Sequence, residues 1–189
     1  MNVKKAFCRF LLILMFFVEQ LGLAFVLIKT KALIGIILLL VSVIGVIFLQ
    51  MWYQKLINVK LSRFSKYIKF IVFTLIVLLI VEEVISHFSS TSANQQLINH
   101  LLKDQSTKWV MTILGVIIAP IVEEGTFRTG IMGNTKHPII LGTVSTMLFV
   151  CAHMVSTNQS LISLVLNITA YALISAVLCL LYYRTKDWR

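Results

Sequence analysis

Charge is what this chain has least of. Only 13% of its 189 residues are charged and 59% are hydrophobic, whereas a soluble domain carries about 25% charge. Too little polar surface exists here to cover a water-soluble globule. Acidic side chains are scarcer still, 7 Asp+Glu against 17 Lys+Arg, for a formal net charge of +10. In a soluble protein such an excess would point to nucleic acid. Here the basic residues lie between apolar runs, where they set orientation and meet anionic lipid headgroups, so no nucleic-acid partner is expected. The three cysteines, Cys8, Cys151 and Cys179, share neither metal-ligand nor disulfide spacing, and all read as buried, inert thiols. No helix-borne H-E-x-x-H is present, which excludes the commonest zinc-protease motif. Without internal repeats or low-complexity tracts, one domain spanning 1–189 is the natural count.

What fills the chain instead is a series of apolar runs, each near the ~20 residues a helix needs to cross a hydrocarbon core. They are Phe10 to Ile28, Ala32 to Trp52, Phe70 to His87, Trp109 to Met132, Ile139 to Val155 and Leu161 to Tyr183. The pattern predicts an all-α, polytopic transmembrane bundle of about six helices in a cell membrane. The first run follows Lys4, Lys5 and Arg9, as a signal peptide would, but it contains Glu19 and Gln20 and no small-residue cleavage site precedes Lys29. An uncleaved first helix, paired with the second as a hairpin, is the reading. The only extended polar segment is Ser89 to Lys108; Gly133 to Pro138 and Ser156 to Ser160 are short turns.

Orientation follows from Lys and Arg. With the N-terminus inside, the inner segments hold twelve of these residues, five of them in 53–69, and the outer segments hold four. Both termini are therefore expected to be cytoplasmic.

The fourth run carries the chemistry: Ala119-Pro120-Ile121-Val122-Glu123-Glu124-Gly125-Thr126-Phe127-Arg128. A charge at the bilayer centre costs about 2.5–3.5 kcal/mol even on the lenient insertion scale. Such residues face a bundle interior or a wet cavity. Glu124 and Arg128, four apart, share a face and can pair. Glu123 is rotated by roughly 100° and needs another partner, which leaves it free to hold a water or a proton. Pro120 loosens the backbone bonding one turn earlier. In the fifth run, His153 is the one histidine well inside an apolar stretch. At 1.5 Å per residue, Glu123 lies roughly 14 Å from the inner end of its run and His153 roughly 21 Å from the inner end of its own. With ends uncertain by a turn, the two can meet on neighbouring antiparallel helices. A carboxylate and an imidazole flanking one water form a competent hydrolytic base; a polar lock between two helices is the alternative.

Other polar positions carry plainer readings. Glu19 and Gln20 suit an interhelical hydrogen bond. Glu82 and Glu83, with His87 a turn beyond, suit an interfacial position more than a cavity. Asn167 is a candidate amide donor toward the site. Trp52, Trp109 and Trp188 mark run ends, as interfacial belts require.

Glu123-Glu124-x-x-x-Arg128 followed by Phe149-x-x-x-His153 resembles the first two motifs of the CPBP family, the CAAX-type prenyl endopeptidases and bacteriocin-processing, Abi-type membrane proteases. The flanking Ala-Pro-Ile-Val, Phe-Arg-Thr-Gly and Tyr182-Tyr183-Arg184-Thr185-Lys186 agree. The likeness covers 109–189, with helices 1 to 3 and the polar loop in 1–108. It implies an intramembrane endopeptidase without metal or other cofactor. Glu123 would activate water and His153 would help hold it. Glu124 and Arg128 would fix the site, and Phe149 would pack against it. The substrate would be a peptide or small membrane protein, in a bacterial plasma membrane, with peptide maturation or self-immunity as the setting.

The family pattern continues into a helix bearing His-x-x-x-Asn or His-x-x-x-Asp, and this sequence reaches Arg189 where that helix would begin. Its one His-x-x-x-Asp, His100 to Asp104, stands in the wrong order. A non-catalytic scaffold that binds a partner membrane protein is therefore the second expectation, and a proton-coupled carrier a weaker third.

Overall fold

The computed structural model describes residues 3–58, 105–154 and 160–185, together with isolated positions between 68 and 83. Helix α1 spans Val3–Leu27 and turns through a short 3-10 segment, Lys29–Lys31, into α2, Ala32–Ile57. Helix α3 is composite: α-helical Gln105–Ile113, π-helical Leu114–Ile118, α-helical Ala119–Glu123 and π-helical Glu124–Met132. Helix α4 spans Pro138–His153 and α5 spans Leu161–Thr185. The described residues are helical wherever they are regular. Four stretches among them are long and apolar enough to cross a membrane, Val3–Leu27, Ala32–Ile57, Lys108–Met132 and Leu161–Thr185, with Pro138–His153 as a shorter apolar helix. This is a multi-pass membrane protein of the expected all-α class. Of the third apolar run only isolated positions are described, all helical, and there Glu83 is exposed. Glu82, His87, His100, Asp104 and Trp188 lie outside the described residues.

The hairpin is held by a repeating seam. Buried on α1 are Cys8, Leu12, Glu19, Gly22 and Val26; on α2 they are Gly35, Leu39, Ser42, Val46, Leu49, Gln50 and Tyr53. Spacings that alternate between three and four residues keep one face toward the partner along its whole length. The opposite faces expose apolar side chains such as Phe17, Ile44 and Phe48. Exposure of that kind suits lipid, where long apolar faces carry no penalty.

Helix α3 lies between this hairpin and the α4–α5 pair, so residues 125–130 are buried without interruption. Toward α1, the Thr126 hydroxyl donates to the Leu12 carbonyl at 3.1 Å, and Arg9 donates to the carbonyls of Gly130, at 2.8 Å, and Ile131. Toward α2, Gly125 lets the backbones close: a Cβ there would sit 2.5 Å from Val46 Cγ1. Toward α4, Ser145 Oγ donates to the Phe127 carbonyl at 2.6 Å. Gly133 ends α3 at φ 58° and ψ −165°, a region open essentially to glycine alone. Its N–H closes on the Arg128 carbonyl at 2.7 Å, a five-residue step of the π kind.

Two sequence expectations are corrected here. Cys8 and Cys179 are buried, but Cys151 is exposed. Only the stripe Gly142, Ser145 and Phe149 of α4 is buried, and Cys151, two residues beyond Phe149, points away from it. The fifth run also stops being helical at His153 rather than Val155. Sixteen residues give a helix of only about 24 Å, short of a ~30 Å core.

Candidate active site

Pro120 has no N–H to donate, and its ring crowds the carbonyl one turn back. Just ahead of it, Leu114–Ile118 widens into π-helix, with the Ala119 N–H on the Leu114 carbonyl. After one α-turn, the second π segment begins at Glu124. Glu123 and Glu124 therefore straddle a change of helical pitch. Widened turns of this type recur at functional sites.

The two carboxylates take different partners. Glu124 Oε1 is 3.3 Å from Arg128 Nε, and the Arg128 side chain is completely buried. The same guanidinium donates through Nη1 to Ser145 Oγ at 3.0 Å, and its carbon lies 5.3 Å from the centre of the Phe149 ring. Thus Arg128 ties α3 to α4 while neutralising Glu124 in a place where an unpaired charge would be costly.

Glu123 Oε1 is 3.5 Å from His153 Nε2, and the side chains are 23% and 16% exposed. His153 Nδ1 lies 2.8 Å from the Phe149 carbonyl. A carbonyl only accepts, so Nδ1 carries the proton. Nε2 is the nitrogen presented to Glu123, either as a lone pair or, in imidazolium, as a second donor. The ring stacks on Phe149 at 4.2 Å between centroids and lies 4.8 Å from Tyr171 of α5. Phe149 packs edge-on against Phe127 at 5.2 Å, and Phe127 in turn against Phe16 of α1 at 5.4 Å. All five residues singled out in the sequence, Glu123, Glu124, Arg128, Phe149 and His153, thus gather into one cluster where α3 meets α4. Asn167 is partly buried on α5, one turn from Tyr171. Among the described residues no three His, Cys, Asp or Glu side chains are arranged to hold a metal ion.

Sequence reasoning missed three members. Tyr171 has no motif around it. Ser145, small and polar in an apolar helix, was a weak signal. Glu19 was the strongest: it is 2% exposed in the seam of α1, and Glu123 and His153 are among its electrostatic neighbours. It occupies a core position of the three-four repeat, with the Gln20 side chain hydrogen-bonded to its carboxyl.

Residues 105–188 match a family model described as type II CAAX prenyl endopeptidase Rce1-like. That segment is similar to the CPBP membrane proteases, the family that the two motifs resemble. More particularly, the match is to the Rce1-like group of that family. At family level this supports an intramembrane endopeptidase, with a peptide substrate and a lipid environment. No curated protein and no solved structure matches the chain.

Proposed function

We propose that this protein hydrolyses a peptide bond within or beside the membrane, with Glu123 as general base on water. The observation that carries the reading is the Glu123–His153 pair, 3.5 Å apart and partly exposed, beside an Arg128 that is sealed. A water lodged against this pair would give its proton to the Glu123 carboxylate while its oxygen attacks the scissile carbonyl carbon. A C–O bond forms there. His153, held through Nδ1 and by stacking, keeps that water in line from Nε2. The proton taken by Glu123 passes to the leaving amide nitrogen as the C–N bond breaks, releasing a carboxylic acid and an amine. General acid–base help of this kind contributes about 10²–10⁴-fold.

The substrate class is a peptide or a small membrane protein able to reach the site from the bilayer. The basic inner segments orient both termini to the cytoplasm, in a cell membrane. Maturation of a secreted peptide, or immunity to one, is the setting the family likeness favours.

The test is cleavage of membrane peptides by the chain in liposomes, with the fragments identified by mass spectrometry. Fragments produced by wild type and absent with His153→Ala support the reading. Folded wild type that releases no fragment from any peptide offered, or His153→Ala that cleaves as well as wild type, contradicts it.

A further inference from the structure

Outside the family-matched segment, α1 carries a carboxyl group that the mechanism above does not use. Glu19 is 2% exposed, and its Oε2 is buried with no hydrogen-bond partner. A carboxylate at such depth is costly unless something compensates it. On the seam with α2, any apolar residue would have packed without that cost.

Its level in the bundle is fixed by neighbouring contacts. Arg9 meets Gly130, Leu12 meets Thr126, and Phe16 meets Phe127. Helices α1 and α3 therefore run antiparallel. Continuing one turn along α1 from Phe16 brings Glu19 to the level of Glu123, one turn back along α3. The electrostatic neighbours of the Glu19 carboxyl include both Glu123 and His153. Three helices thus converge on one spot: α1 with Glu19, α3 with Glu123, and α4 with His153.

We propose that Glu19 is a positioning residue of this site, whose carboxyl faces the Glu123–His153 pair and sets the charge that the pair carries. Resting on the endopeptidase reading, this adds to it a residue from the N-terminal hairpin. The charge count shows why the position matters. Among the described residues, three carboxyls, Glu19, Glu123 and Glu124, lie about this spot with one buried permanent cation, Arg128, and one titratable imidazole. Tyr171, again among the described residues, is a further titratable group against His153. Arg128 is committed to Glu124, so Glu19 and Glu123 both act on His153. Whether the imidazole or a carboxyl holds the shared proton then depends on Glu19. A neutral isostere there changes the proton balance of the pair without changing its packing.

The experiment uses the full chain in liposomes with ¹⁵N-labelled histidine, the His153 signal being assigned by its loss in His153→Ala. The titration of His153 and the kcat and KM of cleavage are measured for wild type, Glu19→Gln, Glu19→Asp and Leu12→Ala. In Glu19→Gln the His153 midpoint should move by about half a pH unit or more, and kcat should fall about tenfold, with KM within twofold. Glu19→Asp should recover part of both. Leu12→Ala, a cavity in the same seam, should lower the melting temperature and leave the His153 titration in place. Superimposable His153 titrations in wild type and Glu19→Gln overturn the proposal. Should Glu19→Gln not fold, Glu19→Asp carries the test: a smaller displacement supports the proposal and none overturns it. If wild type cleaves nothing, the endopeptidase reading fails, while the histidine titration still decides the role of Glu19.

Discussion

His153 closes helix α4 with its Nε2 3.5 Å from Oε1 of Glu123, while its Nδ1 is engaged by the Phe149 carbonyl. The imidazole thus has one free nitrogen, and that nitrogen has one carboxylate in front of it. In the neighbouring pair the cation, Arg128, is sealed while Glu124 is 21% exposed. The Glu123–His153 pair is partly open at both members.

The Glu124–Arg128 pair is the structural partner of that arrangement. Arg128→Met should leave Glu124 uncompensated and destabilise the protein by about 3–5 kcal/mol, the usual result of removing one member of a buried pair. Adding Glu124→Gln to the same chain should recover most of the loss. Thermal unfolding in detergent micelles measures both. Additive losses in the double variant would show that the two residues do not compensate one another.

Contact between α2 and α3 depends on a missing side chain. Gly125→Ala would put a Cβ 2.5 Å from Val46 Cγ1, and overpacking of this sort costs about 1–3 kcal/mol. Val46→Ala alone opens a cavity, yet combined with Gly125→Ala it should cost less than the sum of the two. A double-mutant cycle on melting temperature reads the coupling.

Phe149 holds His153 by stacking and lies under Arg128. Phe149→Leu keeps the volume apolar and removes the flat face. Aromatic pairing is worth about 0.5–1.5 kcal/mol, so cleavage should fall up to about tenfold, with a modest drop in melting temperature. An unchanged rate would mean that the ring does not orient the imidazole.

Much of the fold was legible because membrane helices announce themselves by length and apolarity. The site was legible because Glu123, Glu124 and Arg128 are expensive where they stand. Less accessible was the geometry that close packing decides. The π segments of α3 arise from backbone bonding around Pro120 and between Gly125 and Gly133, and no residue periodicity encodes them directly. The end of α4 at His153 falls inside an apolar run, so apolarity alone does not mark it. Cys151 reads as buried because an apolar run does not reveal which face meets lipid. Glu19 was within reach: Cys8, Leu12, Met15, Glu19, Gly22 and Val26 form an unbroken three-four repeat, which puts the carboxyl on the packed face and not the lipid face.

The central claim is that Glu123 activates the water. Its most direct measurement is peptide cleavage by wild type and Glu123→Gln in liposomes, beside their melting temperatures. The substitution keeps the side chain's size and removes its basicity. Cleavage reduced at least about 10²-fold, with melting temperatures within a few degrees, is the predicted result. Undiminished cleavage by folded Glu123→Gln would contradict the account and leave the Glu123–His153 pair as a polar lock between α3 and α4.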